Sequence, residues 1–142
     1  LYDNYLGENW REESYDNRTW EPIAEISNDE LWAIREESRR ALISYTRRSK
    51  KTVPNALDQE ALTIGFARRF ATYKRATLIF NDIEKLKQLV SNPYNPVQFI
   101  FAGKAHPNDN AGKEFIRKII HTIRDPQLKG RIIFIEDFAI FK

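Results

Sequence analysis

Three short apolar runs, separated by two stretches of helical spacing, constrain this chain most. Ala61–Phe66, Val97–Ala102 and Arg131–Ile135 are rich in β-branched and aromatic residues. They are continuous rather than alternating, as strands covered on both faces of a parallel sheet should be. Between the first two, Tyr73–Ser91 places Leu78, Ile79, Ile83, Leu86, Leu89 and Val90 on one helical face. Between the last two, Lys113–Arg124 does the same with Phe115, Ile116, Ile119, Ile120 and Ile123. Asn92-Pro93-Tyr94-Asn95-Pro96 and Asp125-Pro126 end these helices, because proline lacks the N–H that a helix interior needs. The order strand–helix–strand–helix–strand predicts an α/β fold with a parallel sheet and right-handed crossovers. Such sheets bind ligands at the carboxyl ends of their strands. Those ends carry Ala67-Arg68-Arg69, Gly103-Lys104-Ala105-His106 and Glu136-Asp137.

Upstream the pattern is helical. Leu1–Leu6 reads as a short helix ended by Gly7, then loop. Ser27 and Glu30 stand three apart, the spacing of a capping box, and predict a long helix from Asp29 to Arg47. Leu31, Ile34, Ser38, Ala41, Leu42 and Tyr45 form its narrow apolar stripe, and its other faces are charged. Val53-Pro54-Asn55 is a connection. Residues 1–57 thus read as a helical segment leading into the domain, and 58–142 as the α/β unit. Tyr2, Tyr5, Trp10, Tyr15 and Trp20 crowd the first part. Such aromatics stack on sugars or nucleobases in some proteins, but they more often pack against the protein body.

The chain of 142 residues has the length of one domain, and 42% hydrophobic residues suffice for a core. No apolar run approaches the roughly 18 residues of a membrane span, so no membrane partner is expected. The N-terminus, Leu1-Tyr2-Asp3-Asn4, has no basic start of a secretory leader. Cysteine is absent, which removes disulfides and thiolate metal sites, and no metal site is expected. A net charge of +3 does not demand nucleic acid. The chain begins without Met and stops after a strand that should lead into a helix, so it reads as part of something larger.

The chemistry concentrates in Ala67-Arg68-Arg69-Phe70-Ala71-Thr72-Tyr73-Lys74-Arg75. Its four cations crowd a turn between a strand and a predicted helix start, where the helix dipole is already positive. An anion there would make the arrangement favourable, and phosphate is the usual guest. Arginine offers a bidentate fork and lysine a point charge. The competing reading is a solvated basic turn. In Gly103-Lys104-Ala105-His106-Pro107, Gly103 permits close backbone approach. Lys104 would add a donor and His106 a proton carrier, and an ordinary turn is as good a reading. Glu136 and Asp137 could do acid–base work, although capping or pairing is the commoner use of such acids. Arg39, Arg40, Arg47, Arg48, Lys50 and Lys51 could touch nucleic acid. With Glu36 and Glu37 alongside, a solvated face is the better reading.

At these residues the chain resembles the α-glucan (glycogen) phosphorylases, particularly their shorter bacterial and archaeal branch. Leu62 to Arg75 looks like that branch's basic motif, and Phe101 to Pro107 like its Gly-Lys-Ala loop. Gly130 to Phe138 looks like the strand that approaches the cofactor, and Tyr5 to Trp10 with Glu30-Leu31-Trp32 fit the preceding segment. The resemblance implies a Rossmann-like part of the C-terminal domain of a two-domain GT-B glycosyltransferase. It implies cleavage of α-1,4-glucan ends by inorganic phosphate, giving glucose 1-phosphate, with pyridoxal phosphate as cofactor. By position, Arg69 and Lys74 would be catalytic, holding the substrate phosphate. Tyr73, Gly103 and Lys104 would lie on the substrate side. Arg68 would approach the cofactor phosphate, and Phe138 the pyridoxal ring. The family's Schiff-base lysine lies in a Gly-rich motif further along, so this chain is expected to be inactive alone. The implied enzyme is cytoplasmic, and a homo-oligomer would be in keeping with the family. The alternatives are a sugar-nucleotide-dependent glucan synthase of the same fold and a non-catalytic phosphate- or nucleic-acid-binding module.

Overall fold

The computed structural model describes residues 1–48 and 57–136. These fall into two compact units, Leu1–Leu42 and Ile43–Lys142.

The first unit is helical. Helix α1 spans Tyr2–Leu6 and ends at Gly7, whose φ of 81° suits glycine. Where the sequence reads as loop, two 3₁₀ turns follow, Glu8–Arg11 and Asn17–Glu25, the second capped by the Asp16 side chain. The aromatics pack on one another: Trp10 meets Tyr2 and Trp20 edge-to-face at 5.5 and 5.7 Å. Trp10 donates to Asp3 and Trp20 to the Ser14 carbonyl, which satisfies both indole N–H groups. These two tryptophans are therefore structural. Helix α2 spans Asn28–Arg48. The Ser27 hydroxyl accepts the Glu30 N–H at 3.2 Å, as the capping box requires, and donates to the Glu30 carboxylate.

In the second unit, strands β1 (Leu62–Ala67), β2 (Val97–Ala102) and β3 (Ile132–Ile135) form a parallel sheet in that order. Helix α3 (Ile83–Val90) lies between β1 and β2, and helix α4 (Asn110–Thr122) between β2 and β3. The predicted α/β architecture is thus present. Register pairs Phe66 with Phe101 and Phe101 with Phe134, so these rings share one sheet face. Leu86 and Val90 of α3 and Ile119 of α4 complete the core on that face. Ile100 and Ile133 point to the other face, where Ile43 of α2 and Leu57 cover them.

Three expectations need correction. Cover on both faces holds for β2 but not for β1, where Leu62 and Ile64 stay 52% and 44% exposed. The stripe on α2 does not face a core. Leu31, Ile34, Leu42 and Tyr45 are exposed, and Ile43 and Thr46 are buried instead, Ile43 in a cluster with Ile100 and Ile133. The helix predicted from Tyr73 is short. Arg75 has a left-handed φ of 51°, which no α-helix accommodates, and Thr72–Lys74 and Leu78–Phe80 are separate 3₁₀ turns. Regular helix begins only after Asp82, whose side chain accepts the Lys85 N–H at 3.0 Å.

Candidate functional site

The ladder between β1 and β2 does not stop where the strands do. The Arg68 N–H bonds the Ala102 carbonyl at 3.2 Å, and the Phe70 N–H bonds the Lys104 carbonyl at 3.0 Å. Phe70 and Ala105 form a parallel bridge. The two basic loops therefore run side by side beyond the carboxyl edge of the sheet.

Phe70 anchors this extension. Its side chain is fully buried, with ring centroids 5.5 Å from Phe66 and 5.6 Å from Phe134. Burying an aromatic ring stabilises by about 1.5–3 kcal/mol. That holds the chain down between two exposed stretches, Arg68-Arg69 and Thr72-Tyr73. Two glycines permit the fit. An ideal Cβ on Gly103 would lie 2.1 Å from the Arg68 carbonyl oxygen, and one on Gly112 would lie 2.5 Å from that of Phe70. Gly112 sits in the first turn of α4, which Asp109 caps by accepting its N–H at 2.8 Å.

Between the loops lies a cavity of about 510 Å³ lined by Ala67, Arg68, Arg69, Tyr73, Lys74, Gly103 and Lys104. No acidic residue among the described residues lines it. Arg68, Arg69 and Arg75 make no side-chain ion pair or hydrogen bond among the described residues. The Lys74 ammonium stands 5.5 Å from the Tyr73 ring centroid, within cation–π range, and Tyr73 is 76% exposed. Of the residues singled out from sequence, Arg68, Arg69, Tyr73, Lys74, Gly103 and Lys104 come together here. Phe138 and Asp137 lie outside the described residues.

One part of the anion argument fails. The cations lie in a loop and a 3₁₀ turn, and α3 begins only at Ile83, so the helix start expected beside them is not at this turn. What remains is the cavity itself. Like charges gathered at its rim repel, and a bound anion would relieve them. His106 does not line it. Its Nδ1 accepts the Asn108 N–H at 3.2 Å and shapes the turn into α4. Glu136 is exposed after β3 and does not line it either. In the basic cluster on α2, Arg40 pairs with Glu36 at 3.0 Å and Arg47 donates to the Leu57 carbonyl at 2.6 Å. Gly112 was missed from sequence, although a glycine inside a helical pattern is itself a signal of close approach.

The cation-lined cavity lies at the carboxyl edge of a parallel α/β sheet, where domains of this class bind their ligands. The family model of carbohydrate phosphorylases matches residues 1–142, and the chain belongs to that family. It is 43% identical to a maltodextrin phosphorylase of Thermococcus litoralis, over 97% of this chain and 18% of that protein. It is 41% identical to a glycogen phosphorylase of Aquifex aeolicus, over 97% of this chain and 22% of that protein. A glycogen phosphorylase of Mycobacterium tuberculosis is 33% identical over 84% of the chain and 15% of that protein. The chain therefore spans about a fifth of the length of the first two relatives. Among the described residues no helix is long and apolar enough to cross a membrane.

Proposed function

We propose that this chain is part of the second domain of a cytoplasmic α-1,4-glucan phosphorylase, which transfers glucosyl units from glucan ends to inorganic phosphate. In this reading residues 1–57 lead into the domain, and 58–142 carry the basic half of the site. The observation that carries it is the cavity beside β1 and β2, where Arg68, Arg69, Lys74 and Lys104 converge. The names of the relatives add the substrate class.

In the reaction the glucan C1–O4 bond breaks, a C1–O bond to phosphate forms, and a proton goes to the departing O4. Arg69 and Lys74 hold the substrate phosphate, Arg by its fork and Lys as a point charge. Tyr73, Gly103 and Lys104 border the glucosyl side. Arg68 faces the cofactor, and the family resemblance alone assigns Phe138, outside the described residues, to the pyridoxal ring. The cationic donor set at the cavity suits a phosphate group, so Arg68, Arg69 and Lys74 fit the phosphate of pyridoxal phosphate. When bound, that group supplies a second phosphate that exchanges a proton with the first. Two unit charges about 4 Å apart repel by about 4 kcal/mol at an effective dielectric near 20. Two phosphates together therefore need several cations, and Arg68, Arg69 and Lys74 supply them from one loop.

The test is phosphorolysis by the full-length protein, given maltodextrin and phosphate with and without added pyridoxal phosphate. Cofactor-dependent glucose 1-phosphate is expected. No product from a folded, cofactor-loaded protein would overturn the reading.

A further inference from the structure

A further cavity, of about 350 Å³, lies near the amino ends of the strands, away from the basic loops. It is lined by Arg47, Leu57, Asp58, Lys129, Gly130 and Arg131. We infer that this cavity is a second anion site, built for a dianionic phosphoryl group, either inorganic phosphate or a small phosphate monoester.

Three cations and one carboxylate line the cavity. The carboxylate is partly committed, since Asp58 Oδ1 accepts the Glu60 N–H at 2.9 Å. Lys129 and Arg131 have no side-chain hydrogen bond or ion pair among the described residues. A net positive, polar cavity attracts anions, and the Arg131 fork with the Lys129 ammonium matches a phosphoryl group's oxygens.

The walls of the cavity are held by backbone hydrogen bonds. The Arg131 carbonyl accepts the Phe99 N–H at 2.9 Å, so the root of this side chain is fixed to β2. The Leu57 N–H bonds the Gly130 carbonyl at 2.8 Å, and the Leu57 carbonyl accepts Arg47 Nη2 at 2.6 Å. Arg47 is thereby tied to the cavity's own backbone.

Leu57 is 3% exposed and has a φ of 63°, a left-handed conformation unfavourable for a bulky side chain. Strained residues persist where surrounding structure over-determines them, and they cluster at ligand sites. Here the strain turns the Leu57 side chain into the core and its backbone toward the cavity wall.

The experiment uses the full-length protein carrying Arg69→Ala and Lys74→Ala, which weakens the strand-end cavity as a phosphate site. Inorganic phosphate and glycerol phosphate are titrated by calorimetry, with chloride held constant. Saturable binding is expected. It should weaken about tenfold on Lys129→Gln and on Arg131→Gln, the equivalent of one charge-assisted hydrogen bond. Tighter binding of glycerol phosphate identifies an ester ligand, and tighter or equal binding of inorganic phosphate identifies the free ion. Absence of saturable binding, or binding unchanged by Lys129→Gln, overturns the inference. Lys129 is exposed, so its variant carries the test even if Arg131→Gln folds poorly.

Discussion

The carbonyl of Arg68 occupies the space that any side chain on Gly103 would need, since an ideal Cβ there would approach its oxygen to 2.1 Å. Gly103 also has a φ of 146°, in the region that glycine alone visits readily. Gly103→Ala should therefore combine backbone strain with a backbone clash. We expect a loss of about 2–4 kcal/mol in stability. Urea unfolding of the full-length protein measures it, and a loss below about 0.5 kcal/mol would contradict the close approach.

Lys74→Ala removes a point charge from the cavity. Turnover in phosphorolysis should fall by about 10²–10³, the scale for one electrostatic contact to a reacting group. The unfolding midpoint should stay unchanged. Unchanged turnover would remove Lys74 from the site.

Gln98 is a buried polar residue inside an otherwise apolar strand. Its Oε1 accepts the Asp58 N–H, and its Nε2 donates to the Asp58 carbonyl and to Thr63 Oγ1, each at 2.7 Å. Gln98→Leu would strand these partners. A destabilisation of about 1–3 kcal/mol is expected, read as a lower denaturant midpoint at unchanged slope.

The Lys87 ammonium meets Asp125 at 3.0 Å, tying α3 to the turn after α4. The Gln127 N–H, and after it the Lys87 hydrogen bond, hold the Asp125 carboxyl below its ordinary range. A depressed carboxyl pKa stabilises the fold above the unfolded value, near 3.9, and that contribution fades as pH falls through the folded value. Asp125→Asn should thus cost stability at pH 6 and progressively less as pH drops below about 4. A difference between wild type and variant that is constant from pH 6 to pH 3 would refute this.

The sheet could be read from the chain because continuous apolar runs such as Val97–Ala102 have few other uses, and β2 matches that run residue for residue. The course from Thr72 to Phe80 could not. Its apolar spacing imitates a helix, while Arg75 turns left-handed and Asp82, unread as a cap, starts the real one. The stripe on α2 misled for a different reason: amphipathic spacing says which residues seek cover, not which receive it. Arg68, Arg69, Lys74 and Lys104 were legible as a cationic group because they sit at strand ends. Gln98 and Gly112 were not, since a lone polar residue in a strand and a lone glycine in a helix show their use only once a partner backbone is beside them.

The pairing of Ala67 with Ala102 makes the sheet a ruler for the charges beyond it. One residue inserted into either strand would shift Arg69 past Lys104 by about 3.3 Å and turn alternate side chains to the other face. Changes of length should therefore be tolerated in the turns around α3, whose ends are free of this gauge. Between Leu62 and Lys74, or between Val97 and Ala105, they should not be.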